Sequence, residues 1–163
     1  MKEFLFALAL AGAAGTASAA EPPGLAATVS YPADYRTWQH VKSMVIEQGH
    51  PLYAAFGGIH HLYANPKALA GYRTGKFPDG AVIAFDLLEA VAAGNAITEG
   101  QRKILGVMHK DSKRFAATGG WGFEGFAAGN PGERAVGANA KAACFDCHTA
   151  QAASDYVFSR MRD

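Results

Sequence analysis

The chain has 163 residues, half of them apolar, with 15 basic and 14 acidic side chains and a formal charge of +1. That length carries one domain with a proper core. Near-neutral charge excludes the basic footprint of a nucleic-acid-binding surface, so no nucleic-acid partner is expected.

Met1-Lys2-Glu3 precedes an apolar run from Phe4 to Ala11 and small residues ending in Ala17-Ser18-Ala19-Ala20. This is the layout of a secretory signal peptide with an A-x-A cleavage site. Residues 1–20 are therefore expected to be a signal peptide and 21–163 a single domain exported to the periplasm. The apolar run falls well short of the ~20 residues that span a bilayer. No later stretch is apolar enough, so the mature chain is expected to lack a membrane span.

Glu21 to Ser30, with Pro22-Pro23-Gly24, reads as an extended lead-in. Asp34 stands where a helix N-cap would sit, and Tyr35, Trp38 and Val41 follow at helical spacing, which predicts a short helix over 34–42. Ala55 to Tyr63 fits a strand, because the adjacent Gly57 and Gly58 weaken a helix by roughly 1 kcal/mol each. On such a strand Phe56, Gly58, His60 and Leu62 share one face. Asn65-Pro66 opens a helix from Pro66 to Tyr72, and Phe77-Pro78-Asp79-Gly80 is a turn. A second strand runs from Ala81 to Leu88 with Ala81, Ile83, Phe85 and Leu87 on one side. Arg102 to Lys110 reads as a third strand, with a helix as competitor, and Gly119 to Ala128 as a glycine-laced aromatic strand. Ala138 to Ala143 is alanine-rich and predicted helical, leading into Cys144. The sum is an α+β fold, an antiparallel β-sheet with a few flanking helices.

Cys144-Phe145-Asp146-Cys147-His148 has the C-x-x-C-H form of c-type haem attachment. One helical turn lets two thiols reach two vinyl groups on one edge of the macrocycle, and the next residue brings an imidazole to the iron. A disulfide between Cys144 and Cys147 would close too short a loop to constrain the unfolded chain much. A thioredoxin-like pair belongs after a strand in a βαβ unit, and a zinc site needs a fourth ligand from a second Cys/His cluster that is not present. One haem c is expected, bonded to Cys144 and Cys147, with His148 as the iron ligand. An electron-transfer cytochrome also needs a distal Met or His. The methionine that follows the motif, Met161, is too close in sequence to reach the opposite face.

Tyr35-Arg36-x-Trp38, Thr74-Gly75-x-Phe77-x-Asp79-Gly80, Lys110-Asp111-Ser112-Lys113-Arg114-Phe115-Ala116, Gly120-Trp121-x-Phe123 and Asp155-x-Val157-Phe158-x-Arg160 extend from Tyr35 to Arg160. Together with the late haem motif they resemble the cytochrome P-460 superfamily. In the hydroxylamine-oxidising members a lysine five residues past the Asp-Gly glycine is crosslinked to the haem; that position here is Phe85, and the glutamate of their distal pocket falls near Gly106. The chain is therefore similar to the cytochrome c′-beta branch. The resemblance implies a homodimer and a five-coordinate haem capped by Phe56 and Phe85, binding nitric oxide and carbon monoxide.

His60 shares the expected Phe56 face and is a candidate for a haem-side role; His40, His50, His61 and His109 read as surface or packing residues. Arg114 lies in a run of mixed charge that reads as a solvated turn, Asp155 and Arg160 as residues that fix the terminal helix, and Trp121, Phe123 and Phe126 as core. Asp146 is expected to face solvent. Three functions remain open: gas binding, oxidation of hydroxylamine or nitric oxide, and simple electron transfer to a redox partner that the residues do not identify. The second would need a crosslink through another lysine, such as Lys76, or the chemistry of a plain haem.

Overall fold

The computed structural model describes residues 28–162, so the expected signal peptide and most of the lead-in lie outside the described residues. Five strands follow one another as an antiparallel meander in the order β1-β2-β3-β4-β5. They are β1 (Gln39–Ile46), β2 (Gly58–Ala64), β3 (Val82–Ala93), β4 (Ala96–Lys110) and β5 (Trp121–Ala127). The α+β expectation holds, with three of the strands where alternation placed them and longer than expected for β3 and β4.

The helix expected over 34–42 is a single 3-10 turn, Tyr35–Thr37. Asp34 does not cap its backbone; the carboxylate instead accepts a hydrogen bond from Trp38 Nε1 at 3.1 Å. From Gln39 the chain is β1, paired from Gln39↔Ala64 to Ile46↔Gly58. A free ladder in β2 outweighs weak helical periodicity here, because tertiary pairing overrides propensity.

The strand expected over 55–63 begins three residues late. Tyr53–Phe56 forms one helical turn, α1, closed by Phe56 N–H on Leu52 O at 2.8 Å and Gly57 N–H on Tyr53 O at 2.7 Å. Phe56 therefore sits off the strand rather than in its middle. Gly58 makes the change of direction with φ +129°, and a Cβ there would lie 2.1 Å from the Leu88 carbonyl oxygen. Only glycine permits that approach.

The second helix, α2 (Pro66–Thr74), is capped as its residues demand. Asn65 Oδ1 accepts from Ala68 N–H at 2.8 Å and from Val82 N–H at 3.0 Å, tying the helix start to β3. Arg102–Lys110, for which a helix was the competitor, lies wholly within β4. The hairpin joining β3 to β4 turns on Gly94-Asn95, φ +58° and +61°, the paired left-handed geometry of a tight two-residue turn. Past Leu88 and Arg102 this hairpin projects beyond its neighbours as an arm.

Strand register divides the sheet into two faces. His60, Leu62, Phe85, Gly106, Met108 and Phe123 share the front. A core of Val41, Ile83, Phe77, Trp121, Phe123 and Val157 packs there against α2 and the C-terminal segment. The back carries Val29, Tyr35, Leu105, Val107, Phe115 and Phe126. Thus Trp121, Phe123 and Phe126 are all core, but Phe126 faces away from the haem motif. The back also buries Asp86, which accepts from Arg102 Nε at 2.5 Å and from the Tyr35 hydroxyl at 2.7 Å. Burial and that bond push the Tyr35 phenol up to about 12. Among the described residues no helix is long and apolar enough to cross a membrane.

Candidate functional site

The segment carrying the cysteines is helical but not a regular α-helix. A 3-10 turn (Gly137–Asn139) leads into a π turn (Lys141–Phe145), then α3 (Asp146–His148), then a further 3-10 stretch (Thr149–Ser154). The helix expected over 138–143 is thus present as a tighter 3-10 turn followed by a wider π turn. A π turn adds a residue to the coil and re-aims the side chains beyond it, a device common at functional sites. Cys144 here is half-buried against the front-face core, whereas Cys147 one turn on is exposed, and both are free thiols. Burial pushes the Cys144 thiol up, with the Glu124 carboxylate adding to it. Asp146 between them is exposed and bonded to Lys141 Nζ at 2.6 Å.

His148 lies against Phe123 with ring centroids 4.9 Å apart, and against Phe158 at 5.0 Å. Its Nδ1 is 2.7 Å from the Tyr156 carbonyl oxygen. A carbonyl only accepts, so Nδ1 carries the proton and Nε2 keeps its lone pair. Burial holds the imidazole below its ordinary pKa, outweighing the Tyr156 carbonyl, which favours the protonated ring. A neutral ring with Nε2 bare is the form that ligates a metal. Among the described residues Nε2 has no hydrogen-bond partner.

Phe85 stands on the same face. It meets Phe56 edge-on at 6.0 Å and His60 edge-on at 4.7 Å. Although Phe56 left the strand, α1 returns its ring to Phe85; its backbone carbonyl accepts from His60 Nε2 at 2.5 Å. His60 is 1% exposed, and burial keeps its pKa low. Among the described residues its Nδ1 has no partner. With Nε2 committed to Phe56, His60 braces the α1 turn rather than presenting that nitrogen to a metal. Lys103 Nζ adds a second brace on the Gly57 carbonyl at 2.8 Å.

Between Phe85 and Phe123 lies a feature that alternation does not announce. Gly106 and Gly125 are direct cross-strand partners on the front face, so two neighbouring strands carry no side chain there. A Cβ on Gly106 would meet Phe85 Cδ1 at 3.2 Å, and one on Gly125 would meet Ile104 Cδ1 at 2.6 Å. Phe123 stands two strands over and one side-chain row along from Phe85, roughly 12 Å across the sheet at the usual strand and residue spacings. The imidazole nitrogen and the two free thiols one turn apart are donors of the kind that could hold a haem.

The remaining sequence candidates fall elsewhere. Arg114 is exposed and donates to the Thr28 carbonyl at 3.0 Å. His40 and His61 are joined through Ser43 on the back, with His61 on Glu99 at 2.6 Å. His50 is exposed, and His109 packs on Phe115. Lys76 lies in an exposed loop and Arg160 is exposed. Asp155, by contrast, is buried and fixes the chain just past the motif.

A meander sheet with a Cys-x-x-Cys-His helix laid on one face defines a cytochrome of the sheet-based kind, not the helical kind. Cytochrome P460 is the family that matches, over residues 32–159, and the chain belongs to it. Haem is the cofactor this membership implies. Among curated proteins none matches the chain.

Proposed function

We propose that the protein is an exported monohaem c-type cytochrome of the c′-beta kind, which binds nitric oxide and carbon monoxide in the periplasm. Cys144 and Cys147 would hold the haem covalently, and His148 Nε2 would bind its iron. When bound, the haem supplies an iron with one open position for a small gas. The observation that carries the reading is the His148 Nδ1 bond to the Tyr156 carbonyl, which leaves Nε2 as a bare donor beside two free thiols.

On the opposite side Phe56 and Phe85 offer rings and no hydrogen-bond donor. Nitric oxide and carbon monoxide need little from such a donor, whereas bound oxygen and anions gain from a polar partner. With phenylalanine at 85, this chain has no lysine where its hydroxylamine-oxidising relatives form their crosslink. His60 donates through Nε2 to the Phe56 carbonyl, and its Nδ1 is buried without a partner among the described residues.

An absorption spectrum of the protein expressed with a haem-attachment system tests this. A high-spin, five-coordinate spectrum that converts on adding nitric oxide is expected. A red-shifted crosslinked chromophore would favour hydroxylamine oxidation, and a low-spin six-coordinate spectrum would favour electron transfer.

A second copy of the chain is the expected partner. Among the described residues the hairpin arm beyond Leu88 has no strand on either side, and Val91 is 44% and Ile97 49% exposed. Apolar side chains at such an unpaired tip suit burial against a copy of themselves. Analytical ultracentrifugation should give a dimer that Val91→Lys/Ile97→Lys converts to monomer.

A further inference from the structure

We propose that Asp155 is a positioning residue for His148: paired with Lys110, it holds the Tyr156 carbonyl on Nδ1 and so sets how strongly Nε2 donates. The inference rests on the haem reading above and concerns the side of the site that the attachment motif leaves unspecified.

The Tyr156 carbonyl is presented by two successive residues in the left-handed region, Asp155 at φ +52° and Tyr156 at φ +65°. Neither is glycine, so an L side chain strains both positions and the surroundings must hold them there. Asp155 does this through three bonds to three separate parts of the fold. Its Oδ2 accepts from Phe77 N–H at 2.8 Å, in the turn after α2. Its Oδ1 accepts from Lys110 Nζ at 2.8 Å, at the end of β4. Its carbonyl accepts from Trp121 Nε1 at 2.8 Å, at the start of β5.

Lys110 is fixed in turn. Its Nζ also donates to the Gly119 carbonyl at 3.0 Å and lies 5.1 Å from the Trp121 ring centroid. Both members of the pair are 8% exposed, so water does not screen them. Tyr156 N–H bonds to Gln151 O at 2.8 Å, and the Tyr156 ring packs on Phe145 inside the motif at 5.1 Å. One carboxylate therefore joins the sheet to the peptide that faces the axial imidazole.

A carbonyl held in line with Nδ1–H draws that proton and makes the ring a stronger donor at Nε2, the usual role of an outer partner of a ligating histidine. Loosening the turn weakens that pull. The experiment uses the ferrous haem-loaded protein, reading the iron–histidine stretching band by resonance Raman and the midpoint potential by spectroelectrochemistry. Asp155→Asn keeps an oxygen for Phe77 N–H and removes the charge that anchors Lys110. It is expected to lower the band frequency and raise the potential. Lys110→Met/Asp155→Asn, which strands neither charge, should shift both in the same directions and supplies the readout if Asp155→Asn does not fold. Tyr35→Phe, which loses a buried hydrogen bond on the back face, should lower Tm and leave the band in place.

An unchanged band and potential in either Asp155 variant would overturn the proposal and leave Asp155 as a structural anchor. Wild-type protein that is colourless, or lacks the iron–histidine band, would instead overturn the five-coordinate haem reading and this inference with it.

Discussion

Replacing Phe85 with alanine should open the proposed gas-binding side, and the size of the effect follows from what the ring touches. Phe85 meets two rings edge-on, Phe56 at 6.0 Å and His60 at 4.7 Å. Each such pair contributes about 0.5–1.5 kcal/mol beyond area burial. A ligand that must push the ring aside forfeits about 1–3 kcal/mol, and each 1.4 kcal/mol is a factor of ten in rate, so Phe85→Ala should speed association roughly 5- to 100-fold. Flash photolysis of the carbon monoxide complex and stopped-flow mixing with nitric oxide read this directly. A fully buried Phe→Ala change costs about 3–5 kcal/mol, and Phe85 is only partly buried, so a stability loss of about 2 kcal/mol should accompany it. Phe56→Ala should act in the same direction, and the double variant by less than the product, because the two rings share one contact. Unchanged association rates in a folded, haem-loaded Phe85→Ala protein would refute the reasoning: the ring would then not stand in the path.

Gly58→Ala combines φ +129° with a Cβ 2.1 Å from the Leu88 carbonyl, so it should destabilise by about 3 kcal/mol or more, read as a fall in urea midpoint. Glu124 is buried on the back face, where it accepts from the N–H groups of Gly125, Val136 and Gly137 and from Arg134. Burial raises its carboxyl, yet those bonds outweigh it and hold the pKa below the ordinary 4.5. Its stabilisation is therefore complete above pH 4.5 and lost as pH falls through the folded value. Glu124→Gln should cost about 2 kcal/mol at pH 7 and flatten the acid limb of a stability-versus-pH profile. His60 and His109, both held below 6.5 by burial, take up protons more readily when unfolded, so wild-type stability should also decline as pH falls below 6.5.

The strands at 81–88, 102–110 and 119–128 were legible because their apolar and aromatic runs lie between turn signals and feed the cores on the two faces of the sheet. Three elements were not. Tyr35, Trp38 and Val41 fit a helical spacing, and only the pairing partner β2 makes Val41 a strand residue. The turn at Tyr53–Phe56 depends on Gly58 accepting a backbone that Leu88 crowds, a tertiary fact. The hairpin arm from Ala90 to Ala93 is exposed on both sides, so no alternation marks it. At the site, the Cys-x-x-Cys-His run is legible because its geometry is local. The partner of His148 is a backbone carbonyl, which has no residue signature, and the Gly106–Gly125 pair exists only through register. Asp155 was visible as part of the Asp-x-Val-Phe-x-Arg run, but its reach to Phe77, Lys110 and Trp121 spans separations no local pattern carries.

The two sides of the proposed site are held by different kinds of force, and that difference assigns them different work. On the His148 side directional bonds converge: Nδ1 on Tyr156, Asp155 on three elements, and a buried charge pair beneath them. Such bonds lose most of their strength over a fraction of an ångström, so this side resists displacement. On the Phe85 side the contacts are ring edges, and the directional ties there, His60 on the Phe56 carbonyl and Lys103 on the Gly57 carbonyl, act on backbone and not on either ring. Ring contacts yield gradually, since each atom pair contributes only ~0.1–0.2 kcal/mol. A ligand arriving between the two therefore meets a compliant wall and a stiff one. On the proposed haem reading, Phe56 and Phe85 would set the cost of access and His148 the strength with which the iron holds the ligand, so substitutions at the rings should move association rates and substitutions at Asp155 should move iron–ligand spectra and potentials.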